Sequence, residues 1–282
     1  MTTPLIAVTG ATGKIGGAVA EHLRDAGLAP RLLVRDASRA PRWADDVAVA
    51  EYGSEKAVIE ALTGVDILLM VSAAESENRL EQHRAFITSA AQALVKHVVY
   101  TSFVGAAPGA TFTLARTHWY TEEALRESGM GYTFLRDSFY ADFFIEISAE
   151  GSITGPAGDG RVGAVAREDV AASAAAILTD LAAGDRCHDG VTYDLTGPEA
   201  FTMEEMARII TEVTGRETVY REETVEEAYA SRAHYDVPDW EKDAWVSTYT
   251  AIAAGELNVL SDAVERLTGR RHLSLHDLLV KG

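Results

Sequence analysis

Thr9-Gly10-Ala11-Thr12-Gly13-Lys14-Ile15-Gly16-Gly17 follows the apolar run Leu5-Ile6-Ala7-Val8. It precedes residues 14–26, where Ile15, Val19 and Leu23 recur at helical spacing until Gly27 stops the pattern. A strand that ends in such a turn and opens a helix is the local geometry that cradles a pyrophosphate. Gly10 permits the tight turn, Gly13 lets the backbone approach the phosphates, and Gly16 lets the helix pack close to the strand. The helix N-terminus points N–H groups and the positive end of its dipole at the anion. Gly10, Thr12, Gly13, Lys14 and Ile15 are therefore the first candidate cofactor-binding residues.

Outward from this loop, short apolar runs alternate with helical patterns. Strands are expected at residues 31–34, 46–50, 65–71, 97–101 and 132–136, with helices at 55–62, 77–94 and 116–128 between them. Strand–helix alternation builds right-handed βαβ units, hence a doubly wound parallel α/β sheet covered on both faces. Ligands bind such sheets beyond the carboxyl ends of the strands, near the reversal of strand order. That rule adds Ser72, Ala73, Thr101 and Ser102 to the candidate cofactor site.

The second half is less regular. Residues 153–161 are Gly-rich and read as a loop, 167–181 as a helix and 191–195 as a strand. Thr202 with Glu205 reads as a capping box opening a helix that stops at Gly215. Residues 218–254 read as an acidic helical annex carrying Trp240 and Trp245. The expected organisation is a dinucleotide domain from 1–136 with 162–197 and about 256–282, and a smaller substrate-side region from 137–161 and about 198–255.

The second strand ends Leu33-Val34-Arg35-Asp36. A carboxylate at this tip accepts from a free ribose 2′-OH, whereas Arg35 in the first polar place suits a 2′-phosphate. With Lys14 as a second positive charge, the expected cofactor is NADP(H), preferred over NAD(H).

Composition narrows the partners. Among 282 residues, 43 acidic against 25 basic give a net charge of -18, which disfavours nucleic acid and anionic membrane surfaces. The single Cys187 excludes a disulfide framework and a cysteine-based zinc site. The chain opens on a strand pattern without a basic-then-apolar leader, and no apolar stretch reaches membrane-spanning length. The expectation is a cytoplasmic protein, monomer or homodimer, without nucleic acid or membrane partners; its acidity alone does not name the substrate.

Several segments carry a family resemblance. The loop Thr9–Gly16 resembles the short-chain dehydrogenase/reductase superfamily in its atypical, NmrA-like branch. The run Tyr132-Thr133-Phe134-Leu135-Arg136-Asp137-Ser138-Phe139-Tyr140-Ala141-Asp142-Phe143-Phe144 is similar to that of bacterial triphenylmethane reductases and related NADPH:quinone oxidoreductases. Leu114-Ala115-Arg116-Thr117-His118-Trp119-Tyr120-Thr121-Glu122 and Asp194-Leu195-Thr196-Gly197 resemble theirs too. The resemblance implies a Rossmann-type fold and hydride transfer. Ordinary members of the superfamily carry Tyr-x-x-x-Lys, the Tyr donating a proton and the Lys holding the nicotinamide ribose. The matching places here are Leu114 and His118.

His118 is thus a candidate ribose contact and, with its ordinary pKa near neutrality, a candidate acid. Tyr140 is a second candidate catalytic residue, as a hydrogen-bond donor to a bound oxygen. Phe103, Phe139, Tyr140 and Phe143 are the candidate substrate-binding residues, forming an aromatic wall suited to a flat conjugated molecule. Trp119, Tyr120 and Trp240 are candidate extensions of it. No metal site is expected: His83, His97, His188, His234, His272 and His276 lack paired ligand spacing, and Ser274 caps a helix between the last two. Ser102 lacks the flanking glycines of a nucleophile elbow. The acidic run from Glu222 to Glu227 reads as a solvated helix start.

These readings converge on an NADPH-dependent reductase of a quinone or a triphenylmethane-type dye, since such acceptors take hydride with little help from a protein acid. Two alternatives share the features: an atypical ketoreductase tailoring an aromatic polyketide, and a non-catalytic NmrA-like NADP(H) sensor.

Overall fold

The computed structural model describes residues 4–281. In chain order the elements are β1 (Ile6–Val8), α1 (Lys14–Asp25), β2 (Arg31–Val34), β3 (Val47–Val49), α2 (Glu55–Leu62), β4 (Ile67–Met70), α3 (Arg79–Gln92), β5 (His97–Phe103), α4 (Thr113–Glu127) and β6 (Gly131–Asp137). They continue with α5 (Ala141–Ile147), β7 (Ser152–Gly155), α6 (Arg167–Ala182), β8 (Thr192–Leu195), α7 (Met203–Thr214), β9 (Val219–Glu222), α8 (Val225–Arg232), α9 (Asp239–Ala253), α10 (Ala263–Thr268) and α11 (Leu275–Lys281).

Seven strands form one sheet in the order β3-β2-β1-β4-β5-β6-β8. Ala7 lies opposite both Arg31 and Leu68, and Ile67 opposite His97, all in parallel pairs. Backbone bonds from Gly131 N to Lys96 O and from Val104 N to Asp137 O advance in the same sense along β5 and β6. Those from Phe134 N to Val191 O and from Ser138 N to Leu195 O do the same for β6 and β8, so the parallel sheet continues to its edge. β4 and β5 are buried at every position, as strands covered on both faces must be. The order reverses beside β1, which puts the switch point at the tips of β1 and β4. This is the Rossmann-type sheet that the sequence pattern implied.

The chain divides into two compact units. The first comprises the chain up to Ser102, with Thr117–Arg136 and Val170–Tyr193. Its core packs Leu68, Met70, Val98, Tyr100, Phe86, Leu125 and Phe134 together. The second comprises Phe103–Arg116, Asp137–Asp169 and the chain from Asp194 onward, and its core holds Phe112, Phe144, Met206, Ile210, Tyr249 and Ile252. Residues 103–116, 162–169, 194–197 and 256–281, expected in the dinucleotide domain, fall in this second unit.

Thr202 and Glu205 form the reciprocal capping box at the start of α7, and Gly215 closes that helix in the left-handed conformation. Two sequence expectations need correction. The stretch 153–161, read as loop, begins inside β7, which pairs in parallel with β9, Ile153 opposite Tyr220. The annex from 218, read as helical throughout, therefore opens on a strand. Four-residue strands are too short for alternation to stand out, and Arg221 and Glu222 hide the little that β9 has. The acidic run is split accordingly: Glu222 ends β9, and Thr224 with Glu227 forms a second capping box at α8.

Candidate active site

The glycine loop sits at the tip of β1 in the first unit. Gly10 has φ +62°, a conformation that L side chains avoid. A Cβ on Gly16 would lie 2.5 Å from the carbonyl oxygens of both Thr9 and Gly10, so only glycine lets α1 start this close to the strand. Gly13 is the N-cap of α1 and no side chain caps that terminus, which leaves the first-turn N–H groups for a phosphate. Thr12, Gly13 and Lys14 are exposed there, while Ile15 packs inward. The loop is tied to β4 through Thr9: its Oγ1 accepts from Val71 N at 2.9 Å and lies 2.7 Å from Tyr52 Oη, which donates to Val71 O. A cradle that only glycine fits, under an uncapped helix start at the switch point, suits a dinucleotide.

Arg35 is exposed at the tip of β2. Its neighbour Asp36 is engaged elsewhere: the carboxylate accepts from Ser38 N and Ser38 Oγ, bonds that hold its pKa below the usual range. The carboxylate that a 2′-OH would need is therefore consumed by a local turn, and the guanidinium is the polar group left at the strand tip.

At the tips of β4 and β5 the backbone is locked from within. Ser72 N donates to Thr101 Oγ1 and Ala73 N to His83 Nε2, each at 2.9 Å. Thr101 and Ser102 are both buried. Ser102 donates to Oε1 of the fully buried Glu122 at 2.6 Å, and Arg136 grips the same carboxylate at 2.7 and 2.8 Å. Ser102, expected beside the cofactor, thus has its hydroxyl committed to this ion-pair network. Thr101 shapes the 72–73 turn rather than offering its hydroxyl outward.

The geometry of His118 corrects the idea that it is an acid. Its ring is buried, Nε2 lies 2.8 Å from Arg79 Nη2 and Nδ1 lies 2.9 Å from Tyr100 Oη. A guanidinium only donates, so Nε2 must accept and the single ring proton sits on Nδ1, facing Tyr100. Burial, then the Arg79 charge, holds the His118 pKa well below its ordinary value. A neutral imidazole whose lone pair is occupied by a cation cannot supply a proton at neutral pH. Sequence reading missed Arg79 altogether. It is 3% exposed, and among the described residues none of its bonds is to a carboxylate and its Nε has no partner. The only sequence signal was an arginine at the first position of a helix, where the dipole disfavours cations.

The second unit carries the aromatic residues. Phe103, Phe112 and Phe139 pack edge to face or tilted, with centroids 4.9–5.0 Å apart, and Phe143 meets the buried Phe144 at 5.5 Å. Phe103 is nearly all core, whereas Phe139, Tyr140 and Phe143 are partly open. Trp240 packs on the same cluster. In the first unit, Trp119 lies under the Arg126 guanidinium and Tyr120 is exposed. Tyr140 Oη lies 3.1 Å from Asp137 Oδ2. Asp137 was another residue not singled out from sequence.

Among the described residues no cluster of His, Cys, Asp or Glu could hold a metal ion, and no helix is long and apolar enough to cross a membrane. Ser274 and Asp277 cap α11 reciprocally, which leaves His272 ahead of the helix that carries His276.

The NAD(P)H-binding family model matches residues 10–181. The chain is 33% identical to quinone oxidoreductase 2 of Escherichia coli (strain K12), over 94% of each chain. It is 30% identical to the NAD(P)H azoreductase of Xenophilus azovorans, over 94% of this chain and 93% of that one. It superposes on the crystal structure of the Citrobacter sp. triphenylmethane reductase complexed with NADP(H) with a TM-score of 0.86 at 32% identity, covering 98% of this chain and 99% of that one. With its uncapped glycine cradle, and with Leu114 and His118 in the places of the superfamily's Tyr and Lys, the chain belongs to the NAD(P)H-binding family, as an oxidoreductase of the atypical short-chain dehydrogenase/reductase, NmrA-like branch.

Proposed function

We propose that this protein is an NADPH-dependent reductase of flat, conjugated, electron-poor acceptors, such as quinones and triphenylmethane-type or azo dyes. The observation that carries the reading is the pair of replaced positions. Where the superfamily's acid would stand is the buried Leu114, and where its lysine would stand is a histidine that burial and then Arg79 keep neutral. Such a site suits acceptors that delocalise the incoming charge, and the relatives named for a quinone, an azo compound and a triphenylmethane dye agree with that choice.

The dinucleotide supplies the hydride when bound. Gly10, Thr12, Gly13, Lys14 and Ile15 would hold its pyrophosphate, Arg35 its 2′-phosphate, and the Ser72–Ala73 backbone its nicotinamide half. His118 would act there by orienting Arg79, not by titrating. Phe139, Tyr140 and Phe143, backed by Phe103, would stack on the acceptor. A cytoplasmic monomer or homodimer is part of the same proposal.

The test is NADPH consumption by the purified protein with p-quinones, azo dyes and triphenylmethane cations, against simple aliphatic ketones as controls. Saturable turnover of the conjugated acceptors with none of the ketones is expected. Tight NADPH binding with no turnover of any acceptor would overturn the reading in favour of a sensor.

A further inference from the structure

Hydride transfer to a triphenylmethane cation forms a neutral product and needs no proton. Hydride transfer to a quinone leaves a hydroquinone monoanion, which takes up a proton, so the expectation that such acceptors need little help from a protein acid applies to the cation alone. His118 cannot give it, and Leu114 has nothing to give. Resting on the reductase reading above, we propose that Asp137 and Tyr140 work as one proton-donating pair, Tyr140 passing its hydroxyl proton to an acceptor oxygen and Asp137 replacing it.

Asp137 is the last residue of β6, at the carboxyl edge of the sheet where this fold binds ligands. It is 2% exposed, and among the described residues no cation pairs with it. The charged groups nearby are directed elsewhere. Arg136, its neighbour on β6, grips Glu122. Arg167, at the start of α6, lies 5.2 Å from the Tyr140 ring centroid and pairs with Glu146 of α5. Asp142 of α5 accepts from Arg167 N. One Asp137 oxygen, Oδ1, has no hydrogen-bond partner, and neither has the buried hydroxyl of Ser138 beside it.

An ionised carboxylate in this setting would be left with a single neutral donor against the loss of its water. Burial accordingly pushes the Asp137 carboxyl well above the usual carboxylate range, offset only in part by Tyr140. At neutral pH it carries its proton, as a buried acid without a cation does. Tyr140 links it outward, being half-buried where Asp137 is buried, in the same stretch of chain as the partly open Phe139 and Phe143.

The step balances. The acceptor gains two electrons and one hydrogen as hydride, and one proton from Tyr140 Oη. The Asp137 proton moves across the 3.1 Å to Tyr140 Oη, and the carboxylate left behind regains a proton from water. The pair therefore sets the range of acceptors, admitting those that must be protonated alongside those that need not.

The experiment compares a p-quinone with a triphenylmethane cation on the wild-type protein, on Asp137→Asn and on Tyr140→Phe, and adds denaturation midpoints of the first variant at pH 5 and pH 8. Asparagine keeps the shape but has no proton to pass on. The ratio of quinone to dye turnover should fall roughly 10²-fold or more in both variants, the scale of general acid catalysis. Asp137→Asn should also raise the midpoint, and more at pH 8 than at pH 5. The reason is that wild-type Asp137 releases a proton on unfolding across this range, so each rise in pH favours the unfolded wild type further, while asparagine releases none. An unchanged ratio, or a midpoint change independent of pH, would overturn the proposal. Wild-type protein that reduces neither acceptor would overturn the reductase reading itself.

Discussion

His118→Leu separates a structural histidine from a catalytic one. The imidazole has two partners, Arg79 Nη2 at 2.8 Å and Tyr100 Oη at 2.9 Å, and Tyr100 is fully buried. Leucine fills most of the volume but accepts and donates nothing. Arg79 loses its best acceptor while its Nε is already without one, and a bond to a buried charge is worth about 1.5–3 kcal/mol. The Tyr100 bond adds about 0.5–1.5 kcal/mol, so the variant should be less stable by roughly 2–4 kcal/mol. At about 2–4 °C per kcal/mol in chains of this size, the Tm should drop by roughly 5–15 °C. Turnover of the folded variant, assayed well below that Tm, should fall less than about tenfold, because no proton leaves the ring. The pH profile should keep its shape. Thermal melts and steady-state quinone reduction between pH 5.5 and 8.5 make the comparison. A fall of about 10²–10⁴-fold with unchanged stability, and a limb near neutral pH that vanishes in the variant, would show His118 to be the acid and refute the reasoning.

Other outcomes follow from the same geometry. Arg35→Asp should reverse the cofactor preference, since the new carboxylate repels a 2′-phosphate and accepts from a 2′-OH; titrations with NADPH and NADH that give unchanged affinities for both would remove Arg35 from the ribose. Gly16→Ala should abolish dinucleotide binding by calorimetry, because its Cβ meets two backbone oxygens at 2.5 Å and the loop must move; retained binding would show the cradle to be elsewhere. In Asp137→Asn, where no buried carboxyl offsets the histidines, stability should fall as pH drops below about 6.5, because burial holds folded His83 at about 3 and His118 well below its ordinary value while the unfolded chain takes up both protons. The two together should remove about 3 kcal/mol by pH 5.5, read as a shift of the urea midpoint relative to pH 7.5; a midpoint that holds or rises would mean that the rings are charged in the fold.

What the sequence disclosed was whatever local backbone geometry dictates. The glycines at 10, 13 and 16 are required by a turn and a close approach within nine residues, so their spacing is visible in the chain itself. The same holds for Thr202 with Glu205, a contact across one helical turn. The parallel sheet followed from the alternation of apolar runs with helical ones. The state of His118 was not legible, because it is set by Arg79, 39 positions away, and by Tyr100 across the sheet. Ser102 looked like a site residue because its partner, Glu122, was hidden among the charges of α4. Asp137 was not legible either, since nothing in a sequence distinguishes a buried carboxyl without a cation from one that has found an arginine. The β7–β9 pair escaped because its strands are 67 positions apart and four residues long each.

The central claim is that this chain delivers hydride from NADPH to a conjugated acceptor. It is tested most directly by label transfer, with NADPH carrying deuterium at the transferring C4 position and a triphenylmethane cation as acceptor, the product read by mass spectrometry. The acceptor carbon does not exchange with water, so the label records the path. The account predicts one deuterium per reduced dye molecule, formed only in the presence of the protein, and an Arg35→Asp variant that transfers it better from labelled NADH. Reduced dye without the label, or no reduced dye from protein that binds NADPH, would contradict it.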